Sequence, residues 1–178
     1  MSEPCEVLRR RGARVLVLDP DDRLLLVRAT DPAAPGAFFW FTVGGGIEPG
    51  ESERAAAVRE IREETGLVVA EDELVGPVFD AYDAFAFDGR WIEQANVFFA
   101  VRVGAVEVAG VDAVPGEDAV PGEVALLEDR AWWTPGELRA HLDGRPNGGP
   151  GLPGEPVYPP TLRDVLETAR AALRNRPE

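Results

Sequence analysis

One cysteine and one histidine are all that 178 residues contain of those two types. The lone Cys5 cannot close an internal disulfide and the lone His141 cannot build a histidine-based cluster, so a zinc site of the Cys/His kind is excluded. Basic residues are also few: 18 against 32 acidic ones give a formal charge of −14. That balance repels phosphate backbones and anionic lipid, so nucleic-acid and membrane partners are not expected, and an anionic ligand would bind only with a cation's help. Long hydrophobic runs are missing as well. No stretch approaches the ~18 apolar residues of a membrane span. The basic run Arg9 to Arg11 is followed by "VLVL", which Asp19 cuts off too early for a leader's apolar region, so the expected location is the cytoplasm.

What is present suits a globular protein. With 45% hydrophobic and 28% charged residues, the chain has the size and composition of a single domain, residues 1–178, able to bury a core. "ARVLVLDPDDRLLLVRA" (Ala13 to Ala29) reads as a β-hairpin around Asp-Pro-Asp-Asp. "FFWFTV" (Phe38 to Val43) reads as a short strand leading into three glycines. "LVVAEDELVGPVFDAYDAFAF" and "WIEQANVFFAVRV" are rich in β-branched and aromatic residues, which predicts strands of an antiparallel meander. The tandem hexapeptide "DAVPGEDAVPGE" is too short for a repeat architecture and is expected to be a mobile acidic loop, within 104–123. A strand-like "VALLEDRAWW", a short helix from Pro135 to about Leu142, an irregular Gly/Pro-rich loop (143–160) and a helix from Leu162 to about Leu173 complete the chain. This order predicts an α/β fold, a mixed sheet with helices on both faces.

The chemistry concentrates in "GGGIEPGESERAAAVREIREETGL", Gly44 to Leu67. Ser52 is a plausible N-cap and Gly66 a C-cap, with an apolar stripe of Ala57, Val58, Ile61 and Thr65 on the helix between them. Glu60, Glu63 and Glu64 crowd the end of that helix, against its dipole and against one another, at a cost of about 0.2–1 kcal/mol for each effect. At about 100° per residue they span roughly a third of the circumference, with Glu53 on the same side. Such a carboxylate cluster offers the hard oxygen ligands that Mg²⁺ or Mn²⁺ prefers, completed by backbone carbonyls and water; the plain alternative is a solvated acidic face. The glycines ahead of it would let backbone approach a ligand closely.

Gly45, Glu51, Arg59, Glu60, Ile61, Glu63, Glu64, Gly66 and Leu67 stand in the spacing Gx5Ex7REUxEExGU, U being a bulky aliphatic residue. That arrangement resembles the signature of the Nudix hydrolases, and every fixed position matches. Val43 departs from the proline that many members carry before the glycines. The resemblance implies a Nudix-type α/β/α sandwich and hydrolysis of a phosphoanhydride bond in a nucleoside diphosphate linked to another moiety, with Mg²⁺ or Mn²⁺. It implies Glu60 and Glu64 as metal ligands with the carbonyl of Gly44 or Gly45, Glu63 as a further ligand or water holder, and Glu51 with Arg59 as a brace. The general base is left open among these glutamates and a downstream acid, Glu123 or Glu128. Gly45, Gly46 and Tyr82 are substrate-binding candidates, since members acting on diadenosine polyphosphates often carry a tyrosine at about the position of Tyr82.

Any of Trp40, Phe41, Tyr82, Phe85, Trp91, Trp132 and Trp133 could stack a nucleobase or pack in the core. Pro77 is displaced from the position expected for the ADP-ribose branch. Two other functions fit the same resemblance: an inactive nucleotide-binding module or regulator, whose usual mark, loss of box glutamates, is not seen, and a prenyl diphosphate isomerase, for which Cys5 is poorly placed. The expected partner is a small nucleotide or diphosphate, and a homodimer is left open.

Overall fold

The structure is a computed structural model that describes residues 7–105, 127–145 and 148–176. Its elements in chain order are β1 (Val7–Leu18), β2 (Leu24–Asp31), β3 (Ala34–Gly46), α1 (Glu53–Thr65), a 3₁₀ turn (Glu71–Glu73), β4 (Val75–Phe87), β5 (Arg90–Arg102), β6 (Leu127–Trp133), α2 (Pro135–Leu142), β7 (Val157–Tyr158) and α3 (Leu162–Arg174). Among the described residues no helix is long and apolar enough to cross a membrane. Cys5, Glu123 and the duplicated hexapeptide lie outside the described residues.

The expected hairpin forms as β1 and β2, closed by Leu18 opposite Leu24. Its turn is organised by the buried carboxylate of Asp19, which accepts from the Asp21 and Arg23 N–H groups at 3.0 and 2.8 Å and from Arg23 Nε at 2.6 Å. An aspartate commonly bonds the backbone just ahead of it in this way. Strand β1 starts at Val7, six residues before the sequence pattern suggests, because β5 runs parallel to it over its whole length, Val7 beside Trp91 through Leu18 beside Arg102. The expected meander is therefore corrected. Strands β4 and β5 form an antiparallel hairpin, but β5 then joins β1, and β6 returns to pair with β2.

Strand β3 is also longer than expected and absorbs all three glycines, which pair with β1 as Gly44 to Arg14, Gly45 to Ala13 and Gly46 to Gly12. Within the Gly/Pro-rich loop, β7 pairs parallel to β3 at Trp40 and Phe41; two residues are too short a strand to stand out among prolines.

The mixed sheet carries helices on both faces. On one face α1 buries Ala56, Ala57 and Ile61 against Ala13, Val15, Val17, Val27 and Val43. On the other, α2 and α3 set Leu138, Leu162, Val165, Leu166 and Ala169 against Leu16, Leu26, Trp40, Phe98 and Trp133. Burying such side chains yields about 1.5–3 kcal/mol each. Successive β1 residues alternate between the two layers, as the two-residue period of a strand requires.

Candidate active site

Helix α1 has the punctuation its sequence signals. The Ser52 side chain accepts from the Ala55 N–H at 3.0 Å, and Gly66 stops the helix in the left-handed region, φ 74°, its N–H bonded to the Arg62 carbonyl. A glycine takes that conformation without a Cβ penalty. Beyond the cap, the Arg54 side chain reaches back to the Glu71 and Leu74 carbonyls at 3.0 and 2.9 Å, fixing the chain that follows the helix.

The glutamates converge with the glycine strand at the helix end, and their first partner is a cation of the same helix. Arg59 donates twice to Glu51, Nε to Oε1 at 2.9 Å and Nη2 to Oε2 at 3.0 Å. It also reaches Glu60 at 2.8 Å, Glu63 at 3.2 Å and the Gly46 carbonyl at 2.8 Å. Glu51 accepts in addition from the Glu48 N–H at 3.0 Å, so the Glu51–Arg59 pair ties the loop after the glycines to the helix. Glu64 accepts from the Gly44 N–H at 2.8 Å, and the Gly44 carbonyl accepts from Arg14. Glu53, expected on the same side, pairs instead with Arg11.

Burial sets the electrostatics. Glu60 and Glu64 are 6% and 7% exposed. Desolvation pushes the Glu60 and Glu63 carboxyls above their usual range, partly offset by Arg59. The Arg59 hydrogen bonds hold Glu51 below it, and Arg59 itself is raised, chiefly by Glu51. Buried carboxylates whose charged form is under-solvated suit a hard divalent cation. Among the described residues, however, no three Asp, Glu, His or Cys side chains stand in ready metal-holding geometry, and Arg59 occupies Glu60 and Glu63. Space confirms how close the two segments lie. A Cβ on Gly45 would sit 2.4 Å from Glu60 Oε1 and push that carboxylate aside, and Gly44, at φ 132°, has the Ala13 carbonyl oxygen 2.2 Å from where its Cβ would be, so only glycine fits at position 44.

This cluster closes one end of a cleft of about 500 Å³. The rest of the wall is largely aromatic: Phe38, Phe39, Phe41, Phe85, Phe87 and Tyr158. Phe39 lies 5.7 Å from Phe41 and meets Tyr158 edge-on at 5.9 Å. Arg10 and Arg14 line the cleft as well, Arg14 standing 5.6 Å from the Phe41 ring centre. Of the aromatic candidates from the sequence, Phe41 and Phe85 reach this wall. Trp40 and Trp133 are fully buried against each other, centroids 5.2 Å apart, and Trp132 packs beneath Arg23.

Tyr82 is 66% exposed and is not among the cleft-lining residues. Strand β4 alternates strictly, odd residues from Ala81 to Phe87 turned inward and even ones outward, which puts Tyr82 on the solvent side beside Glu93 and Arg9. Glu128 is exposed on β6. The sequence reading missed Arg10, Arg14, Asp83, Asn96 and the Tyr158 wall; the in-out alternation of β4 and β5 was the signal that would have found Asp83 and Asn96.

Comparison with known proteins identifies the family and the fold. The NUDIX domain family matches residues 8–153, and the chain belongs to that family. It is 42% identical over 66 residues to a Bacillus subtilis (strain 168) protein provisionally named 8-oxo-dGTP diphosphatase, covering 37% of this chain and 41% of that one. It is 34% identical over 97 residues to the ADP-ribose pyrophosphatase of Methanocaldococcus jannaschii, covering 54% of each. The match thus spans about half or less of the length of these curated relatives. The structure of the E. coli dihydroneopterin triphosphate pyrophosphohydrolase shares the fold, with TM-score 0.58 at 16% identity over 95% of this chain and 99% of that one.

Proposed function

We propose that the protein is a divalent-metal-dependent pyrophosphohydrolase cleaving the phosphoanhydride of a nucleoside diphosphate linked to another moiety. The observation that carries this reading is the convergence of Glu60, Glu63 and Glu64 with Gly44 and Gly45 in a cleft that also presents a set of aromatic side chains. The acidic end suits the anhydride and the aromatic wall suits a base.

Glu60, Glu63 and Glu64, with the Gly44 carbonyl, would hold Mg²⁺ or Mn²⁺, which when bound supplies charge neutralisation of the diphosphate and activation of water. To accept that ion, Glu60 and Glu63 must leave Arg59, which stays anchored on Glu51 through its two-fold contact. Arg59 is then a placeholder cation that keeps the carboxylates charged and close before loading. Glu63, the most exposed of the three, is the one placed to take the proton of the attacking water. Arg14 offsets phosphate charge along the cleft, and the aromatic side chains help to exclude bulk water from it.

The test is product release from dinucleoside polyphosphates, sugar nucleotides and nucleoside triphosphates with Mg²⁺. Turnover of at least one class is expected, with kcat lowered by about 100-fold or more in Glu60→Gln and in Glu64→Gln. Activity surviving in the double variant contradicts the site. A folded, Mg²⁺-loaded protein that turns over nothing is the result a binding module would give.

A further inference from the structure

A second row of polar side chains, none of them a box glutamate, crosses three strands of the cleft. Arg10 on β1, Gln94 on β5 and Asp83 on β4 are in register, and Asn96 lies one inward position along from Gln94. Arg10 Nε donates to Gln94 Oε1 at 2.5 Å, Gln94 Nε2 to Asn96 Oδ1 at 2.5 Å, and Asn96 Nδ2 to Asp83 Oδ2 at 2.7 Å. Gln94 is fully buried and Asn96 is 6% exposed. Gly12, paired with Asn96, leaves the room both amides occupy: a Cβ there would lie 2.3 Å from Gln94 Nε2 and 2.4 Å from Asn96 Oδ1.

The direction of this chain is not arbitrary. A guanidinium only donates, so Gln94 must turn its oxygen to Arg10, and the orientation of each later amide follows. The relay ends on a carboxylate, which only accepts. Arg10, Asn96 and Asp83 line the cleft, with Gln94 beneath them, and Phe85 and Phe87 share the inward face of β4 with Asp83. Buried amides held in one orientation and backed by a cation are costly to assemble for stability alone.

We infer that Asp83, oriented through Asn96, Gln94 and Arg10, selects the base of the substrate by accepting its N–H donors, favouring a purine with adjacent imino and amino hydrogens. This deepens the hydrolase reading and rests on it for the identity of the substrate, while concerning side chains other than the glutamates. A base without a donor at that edge would leave the carboxylate desolvated and unpaired, the kind of mismatch that discriminates strongly between ligands. Apart from the N–H groups of its base, a nucleotide could offer the hydroxyls of its ribose.

Calorimetric titration of the metal-free full chain with four nucleoside monophosphates separates these sources without requiring turnover. GMP presents two N–H donors at that edge, IMP one, purine riboside monophosphate none, and dGMP lacks only the 2′-hydroxyl. Expected affinities fall from GMP through IMP to purine riboside monophosphate by about 10- to 100-fold in all, with dGMP equal to GMP. Asp83→Asn keeps an acceptor for Asn96 but presents an amide N–H to the ligand, so it should erase or invert that order. Equal affinities across the bases, saturable binding of none at millimolar concentration, a loss confined to dGMP, or an unchanged order in Asp83→Asn overturns the inference. Since no step is catalysed, failure here leaves the hydrolase proposal to its own assay, and absence of turnover there leaves this ranking measurable.

Discussion

Arg59→Gln tests the view that one guanidinium holds the acidic helix end together. The substitution removes four bonds to three carboxylates and one to the Gly46 carbonyl. These groups are mostly buried, with side-chain exposures of 22% for Arg59 and 15%, 8% and 11% for Glu51, Glu60 and Glu63, so solvent screens them little. Breaking such a cluster by deleting one partner costs about 3–5 kcal/mol. For a domain of this size that lowers Tm by roughly 6–20 °C. Thermal unfolding should be followed in EDTA and again in excess Mg²⁺. Because the cation then replaces the missing charge and no longer competes with Arg59, the stabilisation by Mg²⁺ should be larger in Arg59→Gln than in the wild type. A variant within about 1 kcal/mol of wild type in EDTA, or one gaining less from Mg²⁺ than wild type does, refutes the placeholder role.

Gly45→Ala, whose Cβ would overlap the Glu60 carboxylate, should lower kcat by about 100-fold or more in a phosphate-release assay while far-ultraviolet circular dichroism stays native. Gly12→Ala should cost about 1–3 kcal/mol in urea unfolding by overpacking the two buried amides. Tyr82→Phe should leave KM within about twofold, since the ring faces solvent; a larger rise would return Tyr82 to the substrate. Glu155 sets an acid limit. Burial is the largest single influence on it and raises its pKa, but hydrogen bonds from Arg28, Trp40 and the Leu152 N–H together outweigh burial and leave it lowered. A carboxyl with a depressed folded pKa contributes stability above its unfolded value, and that contribution disappears as pH falls through the folded one. Unfolding free energy measured downward from pH 5 should therefore drop more steeply in the wild type than in Glu155→Gln.

The local features of this protein were legible because each is set within a few residues. Ser52 and Gly66 bound α1 as their side chain and backbone freedom dictate, and Asp19 builds its own turn, while the Glu51–Arg59 brace was implied only by the family resemblance of the motif. The charge argument was only half complete. Repulsion among Glu60, Glu63 and Glu64 does require a cation, but the helix carries one in Arg59, and a linear reading of opposed charges could not tell which guanidinium would fold inward.

The sequence by itself determined the capped acidic helix and the alternation that buries one side of each strand, because these depend on dihedral freedom and periods of a few residues. Only the tertiary structure decided that β5 lies parallel to β1, that Tyr158 and the phenylalanines of β3 and β4 face one cleft, and that Arg10, Gln94, Asn96 and Asp83 form one oriented row. Pairing between strands some 80 residues apart depends on which edges remain when the core has closed, and no local pattern contains that information.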